Sequence, residues 1–429
     1  MMVNKIKEKS KLSNKLNKKW LVVATSLLLV TSLILSACSK TTTTTSITTT
    51  TTNPTTTSST TSTTTKTSTT TTSTTKSTTT SSLTTPSTTT TTSLTITTTT
   101  QLPIVPLNGA GATFPAPLYT KWFDEYNKIT GIKINYQAVG SGAGINQIIA
   151  GTVDFGASDG IMTDAQVTAA QSAGGPILHI PMTIGPVAIV YSLPFLDTTQ
   201  LKLTGDVLAK IYLKQITKWN DPAILALNPG MERVDAPIAV VHRSDSSGTT
   251  YIFTNYLSKV SSDWATKVGN ATAVNWPGDI GGTGSAGVAG QVQQMFGAIG
   301  YVELAYAIQN KMTYALLQNS SGNYINPSLD SASKAAEGMT LPDDMKVMIT
   351  NSSNPAAYPI VGFTWILAFV NQTDKAKGTE LVNILWWAIH DGQQFSNALT
   401  YPQLPAAAVA KAEAEIRSIK FQGQQLINK

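Results

Sequence analysis

Arg243-Ser244-Asp245-Ser246-Ser247-Gly248-Thr249 places a permanent cation beside a run of small hydroxyl residues and a glycine. Tyr251, Phe253, Tyr256 and Leu257 follow at a spacing that predicts a helix. Hydroxyl and glycine residues at a helix start leave backbone N–H groups open, and the helix dipole favours an anion there. A guanidinium nearby can grip oxyanion oxygens in a fixed two-pronged geometry. The same residues also make an ordinary N-capped helix with a surface arginine. The segment by itself leaves both readings open.

Three further segments carry related chemistry. Gly109-Ala110-Gly111-Ala112-Thr113-Phe114-Pro115 and Gly140-Ser141-Gly142 each precede a helical pattern, and a third segment ends in Asp159. Bare backbone and hydroxyls at helix starts can donate to an anion. None of these loops has the lysine of a phosphate loop or the dinucleotide fingerprint. Spacing alone does not show that they converge.

The elements that must position these loops alternate. Pro115 and Pro117 suit a first helical turn, Leu118, Trp122 and Tyr126 recur at helical spacing, and Gly131 ends the helix. Ile132, Ile134 and Tyr136 alternate as a strand, and Gly140 to Gly144 reads as a tight turn into a helix with Ile145, Ile148 and Ile149. Val153 to Asp159 is a short strand and loop, and Pro186 to Tyr191 an apolar, buried strand. The pattern continues with strands at 238–241 and 363–370, a strand turning into a helix at 297–307, and helices at 207–213, 251–259, 381–389 and 406–419. Strands alternating with helices predict an α/β fold with sheets covered on both faces.

Composition sets the frame. Residues 1–37 hold seven lysines and one glutamate, then an uncharged stretch from Trp20 to Ala37. A basic region, an apolar region and small residues before a cut mark an export signal. Those residues carry a net charge of +6, equal to the whole chain's, so the remainder is neutral. The basic balance therefore belongs to the signal and does not argue for nucleic acid. Leu35-Ser36-Ala37-Cys38 resembles the lipobox of bacterial lipoproteins, which makes Cys38 the lipid-bearing first residue. Cys38 is also the single cysteine, so no internal disulfide can form.

Residues 41 to about 100 are almost entirely Thr and Ser, broken by Pro54 and Pro86. They offer little to bury against the entropy of ordering, so residues 38–106 are expected to be a tether. The remaining 320 or so residues exceed one comfortable core and suggest two lobes.

Gly-Ala-Gly-Ala-Thr-Phe-Pro-Ala-Pro at 109–117, Asp-Phe-Gly-Ala-Ser-Asp at 154–159 and Arg-x-Asp-x-Ser-Gly-Thr at 243–249 resemble the PstS family, the phosphate-binding proteins of bacterial ABC importers. Lys218-Trp219-Asn220-Asp221 and Gly297-Ala298-Ile299-Gly300-Tyr301-Val302-Glu303 are also similar to it, and the likeness runs from about Leu107 to the C-terminus. It implies a type II, two-lobed periplasmic-binding-protein fold with a ligand cleft between the lobes. Lobe 1 would be 107–184 with 358–429, and lobe 2 would be 185–357.

Carried onto this chain, the likeness implies that the Thr113 hydroxyl, the Phe114 backbone N–H and Ser141 bind phosphate. Asp159 accepts, Arg243 supplies charge, and Ser247, Gly248 and Thr249 complete the cage. Asp245 orients Arg243. No cofactor, metal or catalytic residue is implied. The partners are phosphate, a membrane permease and, through Cys38, the lipid surface; a monomer is expected, with no nucleic acid. The departures are Gly160-Ile161-Met162, where the family more often has a proline, and His242, where a second basic residue is common.

Asp159 also has a rationale of its own. Near neutral pH phosphate keeps a proton and sulfate keeps none. A buried carboxylate can accept a hydrogen bond only from an anion that brings a proton. Three rival readings stand beside this one. A hydrolase could use Ser247 or Ser141 with His242, His179 or His390, although no nucleophile elbow is present. The lobes could bind another oxyanion. The stalk alone would suit an adhesin.

Overall fold

The computed structural model describes residues 105–193, 200–278 and 280–427. The signal segment, Cys38 and the Thr/Ser tract lie outside the described residues.

Nine strands form one continuous sheet: β1 (Leu107–Gly111), β2 (Ile134–Ala138), β3 (Phe155–Ser158), β4 (Ile177–Tyr191), β5 (Ala239–Arg243), β6 (Ile280–Gly282), β7 (Ala298–Glu303), β8 (Thr313–Tyr314) and β9 (Val361–Phe369). Their order is β2-β1-β3-β9-β4-β7-β5-β6, with β8 also on β4. β1 runs parallel to β2 and β3, and β5 runs parallel to β6 and β7. Each parallel set needs helical crossovers, which cover the faces and put helix starts at the carboxyl ends of strands.

β4 holds the two sets together. Residues 177–186 pair antiparallel with β9, and residues 187–191 pair antiparallel with β7. The sequence pattern anticipates only the second half of this strand. Pro181 and Pro186 argue against a strand there, because proline cannot donate to the ladder. Both lie at irregularities. Pro181 adjoins a register shift opposite Thr364 and Trp365, and Pro186 stands where β4 changes partner. Burial of β4 from His179 to Tyr191 explains its apolar run.

The helices follow their local signals. Ala116–Thr130 begins with proline in its first turn, buries Leu118, Tyr119, Trp122, Phe123 and Tyr126, and ends on Gly131 at φ 77°. The glycine run at 140–144 departs from the expected turn. Only Gly140, at φ 96°, lies outside the helix Ser141–Ile149. Gly144 is instead a packing residue: a Cβ there would stand 2.5 Å from the Gly111 Cα and 2.6 Å from the Ala110 carbonyl oxygen. Gly248–Val260 starts at Ser247, whose hydroxyl accepts from the Thr250 N–H. The helix Gly284–Gln294, which the sequence pattern does not mark, follows β6. A single large core runs through both halves of the sheet and includes Phe114, Trp122, Ile184, Tyr212, Phe253, Tyr301 and Trp365.

Candidate functional site

Five loops leave the carboxyl ends of five strands, three from one parallel set and two from the other, and meet. Ligands of open α/β sheets bind at such strand ends. Thr113 and Phe114 follow β1, Ser141 follows β2, and Asp159 follows β3 directly. Arg243 ends β5 and leads to Ser247, Gly248 and Thr249; Ser285 follows β6. The side chains of Thr113, Ser141, Asp159, Arg243, Ser247 and Thr249 are all buried.

The Ser141 hydroxyl joins two of the predicted loops. It accepts from the Asp159 N–H at 3.2 Å and from the Gly248 N–H at 3.0 Å. Both are bonds it receives, so its own proton remains to be donated. The backbone repeats the junction, because the Gly142 N–H donates to the Ser246 carbonyl at 3.1 Å. Gly248 must be glycine for this approach: a Cβ would stand 2.6 Å from the backbone N, the Cβ and Oδ2 of Asp159.

Arg243 is 3 % exposed and clamped by Asp245. Its Nε donates to Oδ1 at 2.7 Å, and its Nη2 donates to Oδ2. Nη1 takes no part in that pair. Asp245 Oδ1 also accepts from the Gly284 N–H at 3.0 Å. Burial pushes the Asp245 carboxyl up, but the bond to Arg243, its charge and the Gly284 N–H outweigh that and hold it below the usual range. Asp245 therefore stays ionised and holds the guanidinium through both of its oxygens.

Asp159 is 1 % exposed. Burial pushes its carboxyl up to about 7, while a hydrogen bond from Thr364 and the charge of Arg243 pull the other way. Thr364 donates to Asp159 Oδ1 at 2.8 Å. Thr249 presents a buried hydroxyl with no hydrogen-bond partner among the described residues. Phe114 packs its ring in the core, and its carbonyl accepts from Tyr401 at 2.7 Å.

Ser247 carries its alternative reading as well, since it caps the helix by accepting from Thr250. A capping hydroxyl still has a proton to give, so the two roles coexist.

The structure adds residues that sequence reasoning missed. The Thr113 and Ser285 hydroxyls are 2.9 Å apart, and the Ser285 N–H donates to Thr113 Oγ1 at 3.3 Å. Gly281-Gly282-Thr283-Gly284-Ser285 has the same glycine-and-hydroxyl character as the loops that were singled out, so a signal was present. Tyr306 donates to the Thr113 carbonyl at 2.6 Å. Thr364 sits in an apolar strand, and only its lone hydroxyl distinguishes it.

The histidines stand apart from the serines. Both ring nitrogens of His242 meet backbone carbonyls, of Arg243 at 2.9 Å and Gly278 at 3.1 Å, and its ring stacks on Trp276. His179 is buried, which pushes its imidazole down to about 3. His390 pairs with Glu413 at 2.9 Å. The geometry thus brings no histidine onto Ser141 or Ser247. It assembles hydroxyls, backbone N–H groups and one guanidinium around a buried carboxylate, which suits holding an oxyanion by many short bonds.

Residues 39–380 match the PBP superfamily domain. The chain is 46 % identical over 312 residues to the phosphate-binding protein PstS of Xylella fastidiosa, covering 72 % of this chain and 84 % of that one. It is 44 % identical over 312 residues to the phosphate-binding protein PstS of Pasteurella multocida, covering 72 % and 89 %. A solved high-affinity periplasmic phosphate-binding protein with bound phosphate superposes with a TM-score of 0.60 at 21 % identity, over 72 % of this chain and 93 % of that one. At that identity the superposition speaks for the fold, which is the two-lobed α/β architecture of periplasmic binding proteins. With identity sustained over most of both chains, the protein belongs to the PstS family of phosphate-binding proteins.

Proposed function

We propose that the protein captures inorganic phosphate outside the cytoplasm and delivers it to the permease of an ABC importer, without chemical conversion. The observation that carries this reading is the pairing of a buried acceptor, Asp159, with a buried, clamped Arg243 among open hydroxyl and N–H donors. Phosphate can satisfy both, accepting from the Arg243 guanidinium and donating a hydrogen bond to the Asp159 carboxylate. Thr113, Phe114, Ser141, Ser247, Gly248 and Thr249 supply the remaining bonds, and Asp245 orients the arginine.

The lobes in this reading are 107–184 with 358–429, and 185–357. The change of partner of β4 at Pro186 and Val187 supports a crossing there. A ligand touching both lobes shifts the population towards a closed form, which is the form a permease would read. Export, lipidation at Cys38 and the Thr/Ser tether would hold the domain at the membrane as a monomer.

Calorimetric titration with phosphate and sulfate tests the reading. Tight phosphate binding with at least about a thousandfold preference over sulfate is expected, because an unpaired, desolvated pair of anions costs several kcal/mol. Equal affinity for the two anions would assign the site to oxyanions in general. Absence of phosphate binding would overturn the reading.

A further inference from the structure

The two oxygens of Asp159 face different partners. Oδ1 accepts the Thr364 hydroxyl at 2.8 Å. Oδ2 lies on the side of Gly248, where a Cβ would stand 2.6 Å from it. Thr364 and Asp159 are both fully buried. Thr364 belongs to β9, directly before Trp365, which pairs with Ser158 at the end of β3. The register of β9 against β4 shifts between Thr364 and Trp365. Such an irregularity re-aims a side chain at a strand end, here onto the carboxylate that follows β3.

Thr364 has one proton and commits it to Oδ1. Other charged or titratable groups face Asp159 from the surrounding elements: Arg243 after β5, Tyr119 on the first helix, Tyr136 on β2, Glu303 at the end of β7, and Tyr306 and Tyr401 behind Thr113 and Phe114. Arg243 is the one cation among them. Among the described residues, Thr364 is the one neutral side chain in a direct hydrogen bond to the carboxylate.

We propose that Thr364 is a specificity-determining positioning residue: by holding Oδ1 it fixes Asp159 as a hydrogen-bond acceptor with Oδ2 turned to the ligand, so that a bound anion must bring its own proton. This inference rests on the phosphate reading above. A hydrogen bond to the charged form favours that form. Without it, the carboxyl takes up a proton at higher pH. A protonated carboxyl can donate, and a donor suits sulfate as well as phosphate. Thr364 thus governs selectivity through its bond to Asp159.

The test is titration of the full chain with phosphate and with sulfate between pH 5 and pH 9. Thr364→Val keeps the shape and removes the donor. It is expected to narrow the preference for phosphate by about tenfold at pH 7, the worth of one hydrogen bond to a charged group. The pH below which the preference is lost should move up by about one pH unit. Thr364→Ser restores both, which a packing role for the threonine methyl would not allow. In an Asp159→Asn background, Thr364→Val should leave selectivity unchanged. A Thr364→Val protein that binds phosphate with wild-type preference and pH profile overturns the proposal and leaves the phosphate reading standing. If Thr364→Val does not fold, a Thr364→Ser protein with lost selectivity overturns it equally. Wild-type protein that binds no phosphate would instead sink the reading beneath it.

Discussion

At Asp159 burial opposes the role proposed for the carboxylate. Burial raises its carboxyl from an ordinary 3.8 to about 7, so the ligand-free fold holds a proton that the unfolded chain has released. Stability from this group is therefore full below about pH 4 and is lost as the pH rises towards 7. Asp159→Asn mimics the protonated state. Ligand-free, that variant should melt like wild type at pH 4 and be more stable by a few kcal/mol at pH 8. Thermal melts across that range decide it; identical curves for the two proteins would contradict the strain assigned to the carboxylate. The same variant should lose preference for phosphate over sulfate, so stability and selectivity trade against each other at one side chain. Arg243→Ala should cost about 1.5–3 kcal/mol of binding for each charge-assisted bond lost, and calorimetry would read that as at least a tenfold fall in affinity. It also leaves the partly buried Asp245 without its guanidinium partner, so part of any stability loss belongs to the broken clamp.

At the scale of elements, two glycines separate folding from binding. Gly144 lies on a helix pressed against β1, and a Cβ would meet the backbone of Ala110, Gly111 and Ala157 within 2.8 Å. Backbone cannot step aside as a side chain can, so Gly144→Ala should destabilise the domain by about 1–3 kcal/mol. Chemical denaturation measures this directly. Gly248 stands where the Arg243 loop meets Asp159, and its Cβ would press on the carboxylate itself. Gly248→Ala should reduce phosphate affinity by far more than its effect on stability predicts; a variant with unchanged affinity would show that the two loops need not approach this closely. Ser285 belongs to the same scale. Its helix start reaches across to Thr113, and Gly284 beside it holds Asp245. One helix N-terminus thus supports a predicted contact from each of two loops.

For the whole molecule, the long strand β4 and its partner β9 are the shared frame. One further connection spans the halves of the sheet. The segment after the helix Leu329–Ala336 sends Met345 under Trp365, whose Nε1 donates to the Met345 carbonyl at 3.2 Å. It then returns to the helix Gly248–Val260, where Lys259 donates to the Thr350 carbonyl at 2.8 Å. Asp343 of the same segment pairs with Lys411 on the last long helix. A ligand that binds the folded chain alone raises its stability by mass action. Phosphate at a hundred times its dissociation constant should add about 2.7 kcal/mol, with a matching rise in melting temperature. The same titration should contract the molecule in solution scattering; stabilisation without contraction would place the ligand on one lobe alone.

Much of this was legible in the chain. Periodicity marked the helices of the first half, because their apolar stripes are complete and bounded by Pro115, Gly131 and Gly140. The motifs at 109–117, 154–159 and 243–249 were legible because glycine and small hydroxyl residues are the types that leave backbone donors open. β4 was half hidden by Pro181 and Pro186, whose tolerance depends on partners far along the chain. Ser285 and Thr364 were missed for the same reason: a serine before a helix or a threonine in a strand is ordinary until another loop arrives. The sequence alone determined the family, through its motifs, and marked the loops whose glycines and small hydroxyls leave donors open, since those features are local to the chain. Only tertiary structure decided which hydroxyl meets which carboxylate oxygen and why Gly248 must be bare. Those contacts join residues as far apart as Asp159 and Thr364, and hydrogen bonds depend on ångström distances that spacing along a chain does not set.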